Sequence, residues 1–121
     1  MWKTDRLTEG LIIVKELLTM DEVKAFETSL DLNFLYVLTT GCGVCHALLP
    51  QIERVFEEYP NIQTRQVNAA DIPELAGHLS IFTAPVLILF SDGKEILREA
   101  RFVHVDEFDQ KIGKIYEGFY S

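Results

Sequence analysis

Cys42 and Cys45, the two cysteines of the chain, are separated by two residues, and that spacing selects their chemistry. The run Phe34-Leu35-Tyr36-Val37-Leu38 is apolar without alternation and reads as a buried strand, after which Thr39-Thr40-Gly41 turns the chain. Beyond the cysteines, Leu48 or Leu49, Ile52, Val55, Phe56 and Tyr59 recur at helical spacing. Both thiols therefore fall in the first turn of a helix, where residues three apart have β-carbons about 5–6 Å from one another. Small local adjustments close such a pair into a disulfide, and it reopens without refolding.

A helix start leaves amide N–H groups unpaired and carries roughly half a positive charge, which favours a thiolate over a thiol. Cys42, at the mouth of the turn, is expected to be the nucleophile, with a thiol pKa below the ~8.5 of free cysteine. Cys45, one turn in and more covered, is expected to resolve the mixed disulfide. A zinc site needs four N or S ligands in a compact set, whereas His46, His78 and His104 are dispersed, so no metal is expected. Cys42 to His46 also fits the C-x-x-C-H pattern of covalent haem attachment. The chain around it accounts for the motif without a haem pocket, and no cofactor is expected.

At 121 residues the chain reads as one domain, 1–121, in which about residues 1–10 form an N-terminal extension. A composition 48% hydrophobic and 25% charged is globular rather than disordered. The net charge of −8 argues against nucleic acid and against anionic membrane surfaces, both of which demand a basic patch. Residues 1–10 hold no apolar core of signal-peptide length, and no apolar run is long enough to span a bilayer. The expected location is the cytosol and the expected state a monomer. Cytosolic thiols are kept reduced, so the pair reads as redox chemistry rather than a structural staple.

Other elements must position that helix. Residues 11–14 are a short β-rich run, expected as a first strand at a sheet edge. Thr19 and Glu22 form a capping box for a helix with an apolar stripe of Val23, Phe26 and Leu30, running to about Ser29. Asp31-Leu32-Asn33 is expected to turn the chain into the central strand, and the helix after the cysteines should end near Tyr59, ahead of Pro60. Residues 63–68 suit a third strand, and Asp71 is placed to cap a short helix over 72–79, with Pro73 near its start. Residues 86–90 form a second continuous apolar run, and Asp92-Gly93 signals a hairpin returning along 95–102. Residues 105–120, with Phe108, Ile112, Ile115 or Tyr116, and Phe119 on one side, make a closing helix. The order predicts an α/β fold, a parallel sheet with an antiparallel edge and helices on both faces. In open sheets of this kind ligands bind beyond the carboxyl ends of the strands, where Cys42 lies.

From about Ile12 to Tyr120 the chain resembles the thioredoxin family. The likeness is carried by Cys42-Gly43-Val44-Cys45 with Pro50 five residues on, by Gln66-Val67-Asn68 with Asp71, by Ile81-Phe82-Thr83-Ala84-Pro85-Val86, and by Phe90-Ser91-Asp92-Gly93-Lys94. It implies a central mixed sheet of four to five strands with helices on both faces. It also implies a thiol-disulfide oxidoreductase that reduces protein disulfides through a Cys42/Cys45 cycle, with a flavoprotein reductase as electron source. Ala84 and a cis Pro85 would form the wall facing the cysteines, the Ala84 backbone pairing with a substrate peptide. Gly43, Val44 and Phe82 would complete the substrate contacts, and Phe102 is assigned to the core in preference to that rim.

Five residues depart from the family pattern. Tyr36 stands where a buried aspartate helps to deprotonate the resolving cysteine, and Leu38 and Gly41 stand in place of tryptophans. Val44 replaces a proline. Arg101 replaces a glycine that lets substrate approach closely. Tyr36, Leu38 and Arg101 motivate an alternative in the same fold, a redox sensor or protein-binding module with little turnover.

Overall fold

Every residue of strand β2 (Leu32–Leu38) is buried, because the strand lies in the middle of a sheet covered on both faces. This computed structural model describes residues 14–29 and 31–120. Strands β1 (Lys15–Leu17), β2, β3 (Gln63–Asn68), β4 (Val86–Ser91) and β5 (Lys94–Ala100) take the spatial order β1-β3-β2-β4-β5. Helices α1 (Met20–Glu27), α2 (Gly43–Glu57), α3 (Leu75–Leu79) and α4 (Val105–Tyr120) complete the fold. The first three strands of that order are parallel, and β4 is antiparallel to both β2 and β5. The expected α/β mixed sheet is thus present, with its reversal one strand further in than an antiparallel edge. A continuous apolar run such as 86–90 signals burial on two faces but carries no information about direction.

Side chains along β2 alternate between two cores, as strand geometry requires. Leu32, Phe34, Tyr36 and Leu38 pack with Cys45, Leu48, Ile52 and Phe56 of α2 and with Phe108 and Ile112 of α4. Leu35 and Val37 pack on the other face with Val23 and Phe26 of α1 and with Leu75 and Leu79 of α3. The helix carrying the cysteines therefore shares a core with Tyr36. Tyr59, just past α2, donates to an Asp109 carboxylate oxygen of α4 at 2.7 Å. Burial first, and then that hydrogen bond, push the Tyr59 phenol up to about 12.

Local chemistry explains most boundaries. The capping box of α1 is formed: Glu22 N–H donates to Thr19 Oγ1 at 3.1 Å, and Thr19 N–H to the Glu22 carboxylate at 3.3 Å. Helix α1 ends at Glu27 rather than Ser29, and Leu30 lies outside the described residues. Residues 1–13 lie outside them too, with most of the expected first strand. Val14 is described but precedes β1, which is placed by pairing with β3, Glu16 opposite Gln66.

Leu32 and Asn33 extend β2 instead of turning the chain; Asp31 alone takes the left-handed conformation, at φ 68°. Asn33 is fully buried: its side-chain amide donates to the Ser29 carbonyl at 2.9 Å, while its Oδ1 has no partner among the described residues. Residues 72–74 do not join a helix. Asp71 N–H donates to the Asn68 carbonyl and Ala70 N–H to Asn68 Oδ1, so Asn68 organises a turn there, and α3 begins at Leu75 with no side-chain cap. Strand β5 stops at Ala100 because Arg101 leaves the extended region at φ 65°. On α4 the buried face is Phe108 and Ile112, while Phe119 stays 43% exposed.

Phe108 is 1% exposed between the rings of Phe34 and Phe56, at centroid distances of 5.8 and 6.0 Å. Phe108→Ala is expected to lower unfolding free energy by about 3–5 kcal/mol, and Thr19→Ala by about 1 kcal/mol, in urea titrations followed by circular dichroism.

Candidate active site

The carboxyl end of β2 hands the chain to a short turn that is fastened from the side. Ala69 N–H donates to the Leu38 carbonyl at 2.8 Å, and Asn68 Nδ2 donates to Thr40 Oγ1 at 3.2 Å. Within the turn Cys42 N–H donates to the Thr39 carbonyl at 3.3 Å, and Gly41 sits at φ 79°, a conformation in which a β-carbon is strained. Cys42 then occupies the N-cap of α2 in extended conformation, at φ −86° and ψ 97°. Its sulfur does what a capping oxygen does elsewhere: Cys45 N–H donates to Cys42 Sγ at 3.1 Å.

Cys42 and Cys45 are joined as a disulfide, with Cα atoms 5.3 Å apart. Cys45 is fully buried, whereas Cys42 is partly exposed at the edge of the same core. An incoming sulfur can therefore reach Cys42 and not Cys45. His46 is exposed, and its amide donates to the Cys42 carbonyl at 3.3 Å. Pro50 lies inside α2 and withholds the amide that the His46 carbonyl would otherwise accept. Among the described residues, no three His, Cys, Asp or Glu side chains gather as a metal site.

Beneath the disulfide, the fully buried Tyr36 donates its phenolic hydrogen to the Cys45 carbonyl at 2.6 Å. Burial pushes the phenol well above its ordinary value of 10.0, so Tyr36 acts at neutral pH as a neutral donor and not as a base. Among the described residues no Asp, Glu, Lys, Arg or His is buried, which leaves Cys45 with no buried proton acceptor.

The opposite wall is the loop that opens β4. The Ala84–Pro85 peptide bond is cis, Pro85 is buried, and Ala84 packs against the core that contains Cys45 and Tyr36. Val86 pairs with Val37 of β2 and with Ala100 of β5, and Arg101 N–H donates to the Pro85 carbonyl at 2.9 Å. Thr83 Oγ1 is buried with no partner among the described residues. Gly43 and Val44 are exposed on the first turn of α2.

A groove of about 340 Å³ runs between Val44, Ala47 and Gln51 of α2 and Arg101, Phe102 and His104 on the connection to α4. Phe102 is not in the core: it is 81% exposed, because the left-handed Arg101 ends the strand and swings the next side chain outward. The Arg101 guanidinium carbon lies 5.5 Å from the Phe102 ring centroid. Phe82 is 88% exposed but does not line this groove, so Val44 and Phe102 come together without it. Ala47 and Gln51 were missed, although their spacing of three and seven residues from Val44 on one helix face is a signal that could have found them. His104 carried no such signal, since nothing in its neighbourhood fixes how the connection folds.

Tyr36→Phe is expected to cost about 1 kcal/mol at neutral pH, because the Cys45 carbonyl keeps its intrahelical donor. Raised phenol pKa values mean that the folded chain holds protons the unfolded chain releases above pH 10, so stability present below that pH is lost as it rises. Urea midpoints measured on either side of pH ~10 should show this decline, flattened in Tyr36→Phe. Arg101→Gly relieves a left-handed residue, worth about 1–2 kcal/mol, against roughly 0.4–1 kcal/mol of added unfolded-state entropy. The variant should unfold at the same urea concentration as wild type or slightly higher.

Comparison with known proteins accords with this geometry. The thioredoxin family model matches residues 20–114. The thioredoxin-like protein YdfQ of Bacillus subtilis is 51% identical over 84 residues, 69% of this chain and 75% of that protein. A thioredoxin of Chlamydia trachomatis is 34% identical over 73 residues, 60% of this chain and 72% of that one. Among solved structures, thioredoxin from Trypanosoma brucei brucei has a TM-score of 0.79 at 17% identity, covering 87% of this chain and 92% of its own. Oxidised mitochondrial thioredoxin 3 from Saccharomyces cerevisiae has a TM-score of 0.73 at 17% identity, covering 84% and 94%. At such identity those two likenesses speak for the fold alone. With the family model spanning strands and helices on both sides of a Cys-x-x-Cys disulfide, the chain belongs to the thioredoxin family and to its thiol-disulfide redox chemistry.

Proposed function

We propose that this protein reduces disulfide bonds in protein substrates by cycling Cys42 and Cys45 between dithiol and disulfide. The observation that carries this reading is the unequal exposure of two bonded sulfurs, one reachable and capped by an amide, the other fully buried. In the dithiol form the Cys45 amide and the helix start favour negative charge on Cys42 Sγ. That thiolate attacks one sulfur of a substrate disulfide; the substrate S–S bond breaks, the Cys42–substrate bond forms, and one substrate sulfur leaves as thiolate. Cys45 then loses its proton, attacks Cys42 Sγ and expels the second substrate sulfur. Two electrons have passed to the substrate, whose sulfurs take up the protons, and the Cys42–Cys45 disulfide remains.

Because Tyr36 is no base, the Cys45 proton must go to the departing substrate sulfur or to water admitted at the groove. The oxidised pair is returned to the dithiol by an external donor, for which a flavoprotein reductase in the cytosol is the candidate. The same absence of a buried acceptor favours a second reading, a redox sensor that turns over slowly and whose partner recognises one oxidation state.

Cys45→Ser is expected to accumulate covalent adducts of substrate proteins on Cys42, released by dithiothreitol, whereas Cys42→Ser forms none; a folded Cys45→Ser protein without adducts would sink the mechanism. Insulin reduction with an excess of chemical reductant separates the two readings, since a sensor gives negligible turnover. The reduced protein should take up iodoacetamide at Cys42 with a midpoint below pH ~8.5, and its potential should lie near the roughly −270 mV of a reductant rather than the −120 mV of an oxidant.

A further inference from the structure

We propose that Arg101 makes the groove beside Cys42 selective for disulfides whose attacked cysteine has a carboxylate side chain next to it in the substrate. The inference rests on the reductase reading above and names the class of substrate that reading leaves open. Three observations carry it. Arg101 lines the groove whose other wall includes Val44, two residues from Cys42, and its backbone is bonded to the Pro85 carbonyl at 2.9 Å. The backbone of Arg101 is thus fixed at the rim where a bound peptide would pass, and its exposed guanidinium lies 5.5 Å from the Phe102 ring centroid with no carboxylate partner among the described residues. Glu99, two residues earlier, is held by Lys111 at 2.7 Å.

The second observation is charge. The chain carries 19 acidic and 11 basic residues, yet the groove is lined by Arg101 and His104 and by no Asp or Glu. At physiological ionic strength charges beyond about 8 Å are screened, so a substrate residue in the groove responds to Arg101 more than to the net charge of −8. The third is backbone conformation. At φ 65° glycine is the residue of least strain, and an arginine held there against that preference is not required by the turn. The guanidinium offers a forked array of donors suited to a carboxylate, while Phe102, Val44 and Ala47 offer an apolar bed for the neighbouring side chain.

The test uses three disulfide-linked peptides identical except for Glu, Gln or Lys beside the attacked cysteine, reduced by the full chain with a chemical reductant in excess. Wild type is expected to rank them Glu over Gln over Lys, by about threefold in kcat/KM per step, the size of an exposed ion pair. The spread should shrink as salt approaches ~1 M, where the screening length is about 3 Å. Arg101→Gly should bring the three rates together, and Arg101→Glu, which keeps a non-glycine residue in the same backbone conformation, should reverse the order. Equal rates with wild type, or an unreversed order with Arg101→Glu, overturn the proposal while leaving the reductase reading intact. If none of the peptides is reduced, the reductase reading falls and this proposal with it.

Discussion

The site depends on a helix end being aimed at a sulfur. A buried strand runs into a helix through four residues, the last of them Cys42 itself, and the amide of Cys45 in the first turn of that helix meets Cys42 Sγ at 3.1 Å. Everything around the pair serves to hold that junction still. Neighbouring β3 fastens the turn through Asn68 and Ala69, and two layers of core clamp β2 from opposite sides. An unfastened turn would let the helix start fray, and the electrostatic preference for a thiolate would fade with it, since that effect is confined to the first turn.

Tyr36 shows how the same core can serve geometry at the expense of acid-base chemistry. Its hydroxyl is fully satisfied by the Cys45 carbonyl, which fixes the buried half of the redox pair within the helix. A phenol that burial keeps protonated cannot accept the proton that Cys45 must release. Position and proton transfer, which a buried carboxylate would combine, are separated in Tyr36: it supplies the first and, held neutral, not the second.

Much of this was legible in the residues. The cysteine spacing, the unbroken apolar runs of β2 and β4, the Thr19–Glu22 box and the periodicity of α4 each have a local physical cause, and each element is present. What escaped depended on distant partners. Asn33 has the composition of a turn but lies in β2, its side chain bonded to the carbonyl of Ser29, two residues past α1. Asp71 has the composition of a cap, yet Asn68 takes over the turn before any helix can start there. The direction of β4 is set by its connections and leaves no mark in its own residues. Phe102 reads as core by type, and only the left-handed backbone of the preceding arginine, a state rare for that residue, puts it outside.

The disulfide closes within one helical turn, between the residue that caps α2 and a residue already inside it. The bond ties no two elements together, so it marks the oxidation state within one turn of α2. A partner that reads the bond directly would meet it at the edge of the core where Cys42 is partly exposed, since Cys45 is buried.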